Sequence, residues 1–144
     1  TKQKGKIFLT SSLAAFLPLP YLGSYTSSKM SLYSIGRTLQ KELKLQQLKV
    51  RLCLFVPGAY QTGFNEYMIL NKEKDLYFKE EEGKKITQKQ EQMFSLIEEK
   101  DYLLLAQRVV RAMEKEKIPN DLSYPFWQKI GIKIYRLISA LIEL

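Results

Sequence analysis

The period of the apolar positions changes several times along the chain, and each change outlines an element. Lys6–Ser12 (KIFLTSS) is a compact apolar run that closes on hydroxyls, the pattern of a buried strand entering a loop. Pro18, Pro20 and Gly23 then exclude a helix from Leu13–Ser24. From Tyr25 to Leu45 the period turns helical, with Leu32, Ile35, Leu39 and Leu43 on one stripe and Arg37, Lys41 and Lys44 opposite, and Ser24 is placed to act as N-cap. Val50–Val56 (VRLCLFV) is apolar at nearly every position, as in a central parallel strand covered on both faces, and Pro57-Gly58 stops it. Strand, helix and strand make one βαβ unit, for which a right-handed crossover is expected.

Residues 62–95 differ in character. Asn71–Gln92 is crowded with Lys, Glu and Gln, which predicts a solvated surface excursion with at most weak helices. Asp101–Lys117 returns to a helical period, with Leu105, Ala106, Val109, Val110 and Met113 on one face and Pro119 as its stop. Pro125–Leu144 sets Ile130, Ile134, Leu137, Ile138 and Leu141 at helical spacing. Lys133, Arg136 and Glu143 interrupt this last segment, which is also shorter than the roughly 20 residues of a membrane span. The chain shows no internal repeat and no low-complexity tract.

Composition narrows the chemistry. A chain of 144 residues with 45% hydrophobic content suits one modest domain. Its charge is 23 − 15 = +8, and it has no histidine, which excludes a His general base, a Ser-His-Asp triad and His-ligated zinc. The lone cysteine, Cys53, forbids an internal disulfide and reads as a small core residue, consistent with a reducing, cytoplasmic setting. The first residues lack the apolar length of a signal peptide. Basic residues of 72–117 alternate with acids instead of forming a stripe, so nucleic acid is not the expected partner. Tyr124, Trp127 and Tyr135 beside Lys129, Lys133 and Arg136 leave two readings of 124–144 open: a terminal helix packed on another part of the protein, or peripheral contact with a membrane surface.

One constellation carries chemistry. Tyr25 and Lys29, four positions apart at the start of a helix, share a face. Ser12 lies at the carboxyl end of the preceding strand, the edge at which open α/β sheets bind ligands, and the intervening loop is long enough to bring the two hydroxyls together. A phenol titrates near pH ~10, and a neighbouring ammonium favours its anion, lowering that value. Such a phenol can exchange a proton with an alcohol or carbonyl oxygen while a serine hydroxyl hydrogen-bonds the same atom. Carbonyl reduction also needs a hydride, which no side chain provides; a nicotinamide does.

Thr10-Ser11-Ser12, the motif Tyr25-Thr26-Ser27-Ser28-Lys29 and the turn Pro57-Gly58 resemble the short-chain dehydrogenase/reductase family. There a serine precedes the YxxxK tyrosine by thirteen positions, as Ser12 precedes Tyr25, and a threonine follows the PG glycine by four, as Thr62 follows Gly58. Order and spacing agree over Lys6–Phe64, and Tyr102–Glu116 looks like a later family helix. The resemblance implies an incomplete Rossmann-like doubly wound parallel sheet, α/β in class, with a helical lid and carboxyl-terminal helices. It implies that Ser12 orients the substrate oxygen, that Tyr25 is the acid/base, and that Lys29 lowers the phenol's pKa and binds the nicotinamide ribose. Pro57, Gly58 and Thr62 would hold the nicotinamide end of NAD or NADP. A small alcohol or ketone would be the substrate, with Tyr21, Tyr60 and Phe64 as candidate contacts. The variable stretch from Phe64 to Leu96 would be the lid.

The departure from the family is as plain. The seven glycines form no GxxxGxG phosphate turn, and the NNAG-like motif and relay asparagine are absent. The chain therefore reads as one partial domain: a catalytic βαβ segment at 1–64, a lid at 65–100 and terminal helices at 101–144, without the cofactor-binding amino-terminal half. The strand Lys6–Thr10 would then lack one neighbour, and self-association or a homo-oligomer is expected. The alternative reading is a truncated, non-enzymatic remnant acting through protein or membrane-surface contacts.

Overall fold

Three parallel strands in the order β1-β2-β3 form the sheet of the computed structural model, which describes residues 4–67 and 80–142. β1 (Lys4–Thr10) pairs with β2 (Lys49–Pro57) from Lys4↔Lys49 to Thr10↔Phe55, and β2 pairs with β3 (Asp121–Tyr124) from Leu54↔Asp121 to Pro57↔Tyr124. The helices are α1 (Gly23–Leu45), α2 (Glu80–Ile97), α3 (Tyr102–Glu114) and α4 (Phe126–Ile142). The fold class is thus α/β with a parallel sheet, as the apolar run of β2 required. Two compact units divide the chain: Thr1–Gly58 with Leu103–Leu144, and Ala59–Tyr102. The stretch 71–79 of the anticipated surface excursion lies outside the described residues.

In the first unit, Leu52, Leu54 and Val56 of β2 and Leu13 form the buried cluster, with Leu9, Phe16, Tyr33, Leu39, Leu43 and Ile132 packed against it. β2 is covered and β1 is not: among the described residues β1 is an edge strand, and Ile7 is exposed. This corrects the expectation of a buried first strand.

The helical faces also turn out rotated from the apolar stripes. On α1 Tyr33, Gly36, Leu39, Gln40 and Leu43 are covered, so Leu39 and Leu43 of the stripe pack as expected while Leu32 and Ile35 face outward. The cause is Gly36: a Cβ there would stand 2.5 Å from Leu54 Cδ2, so the helix approaches the sheet most closely at its residue without a side chain. Ser24 is not the cap; α1 starts at Gly23 after Leu22, with no side-chain capping bond. Its other end is closed by Gln47 in the left-handed region (φ 52°) and Leu48 N donating to Leu43 O, which turns the chain into β2. On α3, Ala112 is buried and Val109 half-buried, while Ala106, Val110 and Met113 are exposed.

β3 escaped the sequence pattern because four residues are too few to display a period. Polar groups fasten it instead. Gln40 Nε2 donates to Leu52 O (3.0 Å) and Asn120 O (2.6 Å), and Asp121 is held by Arg37 (3.3 Å) and Lys129 (3.4 Å). Burial opposes the Arg37 charge, but the Tyr33 hydroxyl and Asp121 outweigh it and hold the guanidinium above its usual range.

In the second unit, α2 replaces the anticipated solvated excursion. Gly83, Thr87, Gln90 and Phe94 are buried at helical spacing, so a helix with a mostly polar covered face had hidden in the charge run. Tyr60 bridges to Glu99 in parallel. No described helix is long and apolar enough to cross a membrane.

Candidate active site

The carboxyl end of β1 and the start of α1 are fastened by hydrogen bonds that the residue types make available. Ser11 is 1% exposed: its N–H donates to Phe55 O (2.8 Å), and its Oγ donates to Lys29 O (2.8 Å). Lys29 Nζ reaches back to Thr10 O (3.4 Å), and Thr26 Oγ1 donates to Ala14 O (3.4 Å). The strand end, the 3-10 turn Leu13–Phe16 and the first turns of α1 therefore hold one another in place.

Ser12 and Ser11 divide the work. Ser12 is buried and extended (φ −159°), and its Oγ accepts from Ala14 N (3.1 Å) as N-cap of the 3-10 turn. Ser11's hydroxyl donates inside the fold, whereas Ser12's accepts, leaving its O–H as a donor for an external oxygen. Tyr25 is half-buried, and Lys29 Nζ stands 5.8 Å from the centroid of its ring, close enough for the ammonium to act on the π-system. Tyr21, at the end of the loop delivering this helix, has φ 63°, a left-handed conformation costing an aromatic residue about 1 kcal/mol or more.

Pro57 and Gly58 end β2 beside β3. Gly58 N donates to Tyr124 O (2.7 Å), and a Cβ at Gly58 would meet the end of the Gln128 side chain, which would have to shift to admit it. Thr62, Tyr60 and Phe64 belong to the second unit. There Tyr60 is buried, and Thr62 and Phe64 are exposed. A helical turn begins at residue 64, capped through Gly63 O, which accepts from Tyr67 N (3.1 Å); Thr62 is therefore not its cap.

One sequence reading needs correction here, and one residue was missed. Lys129 is tied to Asp121 and Tyr124 stacks under Arg108 (4.2 Å), so neither belongs to an outward aromatic–basic patch. Of the others, Trp127 and Tyr135 are exposed, and the Arg136 side chain lies outside the described residues. Ser11 was missed as a positioning residue. Its role depends on which helix carbonyl docks above it, and spacing alone carries no such signal.

Comparison with known proteins supports the same segment. The family profile described as short chain dehydrogenase matches residues 1–73. Dehydrogenase/reductase SDR family member 4 of Homo sapiens is 37% identical over 76 residues, which cover 53% of this chain and 27% of that protein. A hydroxysteroid 11-beta-dehydrogenase 1-like protein of Xenopus tropicalis is 39% identical over 62 residues, 43% of this chain and 22% of that protein. A solved short-chain dehydrogenase from Streptomyces avermitilis superposes with a TM-score of 0.61 at 18% identity, over 99% of this chain and 50% of that one. The match spans about a quarter of the curated relatives' length and half of the solved structure.

Proposed function

The chain belongs to the short-chain dehydrogenase family, and from that membership we propose that it is the substrate-activating segment of an NAD- or NADP-dependent oxidoreductase interconverting a small ketone and alcohol. The observation that supports this most is the fastened strand end: Ser12 with an O–H to offer, and Lys29 beside the Tyr25 ring. In this reading the Tyr25 hydroxyl gives its proton to the substrate oxygen in reduction and recovers it in oxidation. Ser12 donates a hydrogen bond to that same oxygen, and the Lys29 ammonium stabilises the phenolate left behind.

The donor set suits the nicotinamide-ribose end of a dinucleotide. Lys29 is an ammonium with donors to spare at the carboxyl edge of parallel strands, the edge at which α/β sheets take nucleotides. Gly58's N–H is committed to Tyr124, so Pro57 and Gly58 would contribute shape. A bound nicotinamide would supply or accept the hydride. The scattered glycines of this chain offer no pyrophosphate turn, so the remainder of the dinucleotide would be held elsewhere.

Self-association belongs to the same proposal, supported by the open edge of β1 and the outward Leu32 and Ile35. A cytoplasmic enzyme in peripheral contact with a membrane through 124–144 is supported by the exposed Phe126, Trp127, Ile130 and Ile134 of α4.

The test is NAD(P)H-linked turnover of a ketone panel by the protein carrying this segment. Tyr25→Phe is expected to lower kcat by roughly 10²–10⁴-fold with an unchanged melting temperature. Lys29→Ala is expected to abolish saturable quenching of nicotinamide fluorescence. Undiminished turnover in Tyr25→Phe would overturn the assignment.

A further inference from the structure

The amino-terminal edge of the sheet carries a different chemistry from the carboxyl edge. β1 opens with Lys-Gly-Lys, α1 closes with Lys-Glu-Leu-Lys-Leu and β2 opens just after it with Lys-Val-Arg, so the β1–β2 pairing brings the basic start of β1 beside a second basic stretch some forty residues on. Between them and the approach to β3 lies an open cleft of about 1190 Å³, lined by eight Lys and Arg side chains and a single carboxylate, Glu116.

Two of the eight cations are occupied: Arg37 by Asp121, and Lys6, whose Nζ donates to Met113 O (2.7 Å). The other six, Lys4, Lys41, Lys44, Lys49, Arg51 and Lys117, have no hydrogen bond or ion pair among the described residues. The carboxyl end of α1 offsets only about half a charge. Beneath this rim the floor is aliphatic, with Leu52 and Ile118 buried and Leu43, Leu48 and Val50 half-buried.

We propose that this cleft binds an oligophosphate ligand, its phosphates on the basic rim and any apolar or aromatic body on the aliphatic floor. The cleft is concave, its volume slightly above the ~300–1,000 Å³ of small-molecule sites, and six unneutralised cations around one cleft call for a ligand of comparable charge density. The site is separate from the one around Tyr25. Lys4↔Lys49 is the first pair of the β1–β2 ladder and Thr10↔Phe55 the last, six residues on, or roughly 20 Å.

The test is calorimetric titration of the chain with inorganic tripolyphosphate and, separately, with ATP. Saturable binding of one ligand per chain is expected, weakened when salt rises from ~50 to ~200 mM. The triple variant Lys41→Gln/Lys49→Gln/Arg51→Gln is expected to bind roughly tenfold or more weakly, and Lys29→Ala as well as the parent. Should the triple variant melt early, Lys44→Gln/Lys117→Gln, which leaves β2 untouched, is expected to weaken binding likewise. Equal affinities for the two ligands would identify the phosphate chain alone as the determinant, and tighter ATP binding a nucleotide on the floor. The proposal is overturned by no saturation at millimolar ligand, by undiminished affinity in both charge-removal variants, or by saturation with an oligonucleotide or anionic vesicles alone.

Discussion

The two ends of the same three strands were solved by opposite means. At the carboxyl edge, small hydroxyl residues and one lysine are absorbed into hydrogen bonds: Ser11 to Lys29 O, Ser12 to Ala14 N, Lys29 to Thr10 O. At the amino edge most of the charge is left unspent, and six cations border one cleft without a partner among the described residues. The difference teaches that a reaction needs groups fixed relative to one another, which short side chains tied to backbone provide. Holding a densely charged ligand needs only field and reach, which flexible lysines provide.

The joint between α1 and β2 is where this comparison breaks most easily. Gly36 is the point of closest approach, and a side chain there meets Leu54 and Leu9. Gly36→Val would push the helix off the sheet at its middle. A cost of about 2–3 kcal/mol is expected, or a melting point lower by roughly 5–10 °C. Because both edges hang on that joint, nicotinamide and oligophosphate binding should weaken together. A variant that loses one and keeps the other would show that the edges are positioned independently.

Ser11→Ala sharpens the comparison, since it touches the carboxyl edge alone. It removes the donor to Lys29 O and leaves Oγ's buried space empty, at an expected cost of about 1–2 kcal/mol. As a positioning change it should raise KM for the nicotinamide cofactor more than it lowers melting, with Ser11→Thr restoring part of the effect. Tripolyphosphate titration should not respond.

What the sequence made legible follows the range of each interaction. β2 declared itself because a strand covered on both faces is apolar throughout, and Tyr25 and Lys29 share one face of α1 because four positions make about one helical turn. Only half of the α1 stripe could be read: Leu39 and Leu43 pack on the core, but Leu32 and Ile35 face outward because the helix docks through Gly36, and only the partner strand decides that. β3 was lost because four residues bounded by Pro119 and Pro125 display no period; Arg37 and Gln40, which hold Asp121 and Asn120, lie 84 and 80 positions away. The basic cleft was invisible for the same reason. Lys4, Lys41, Lys49 and Lys117 look like ordinary surface charges until the sheet register brings their segments together.

The smallest effect sits midway between the two edges. Cys53 faces neither site: it is 0% exposed in the centre of β2, and burial, helped by the Asp121 carboxylate, pushes its thiol up to about 11. The unfolded chain releases this proton near 9, so between about 9 and 11 the folded form holds the proton more tightly. The contribution to stability is therefore intact below about 9 and lost as pH climbs through 11. The loss is nil at neutral pH, where both states are protonated, and reaches about 1 kcal/mol by about pH 10. Urea melts of the parent and of Cys53→Ala, each at pH 8 and 10, isolate it: the cavity left by the substitution is common to both pH values, and only the parent should show this increment. Thiol reagents should react with Cys53 only as the chain unfolds. Rapid labelling under native conditions would mean that the middle of β2 opens readily, and the two edges could not then be treated as the fixed ends of one rigid strand pair.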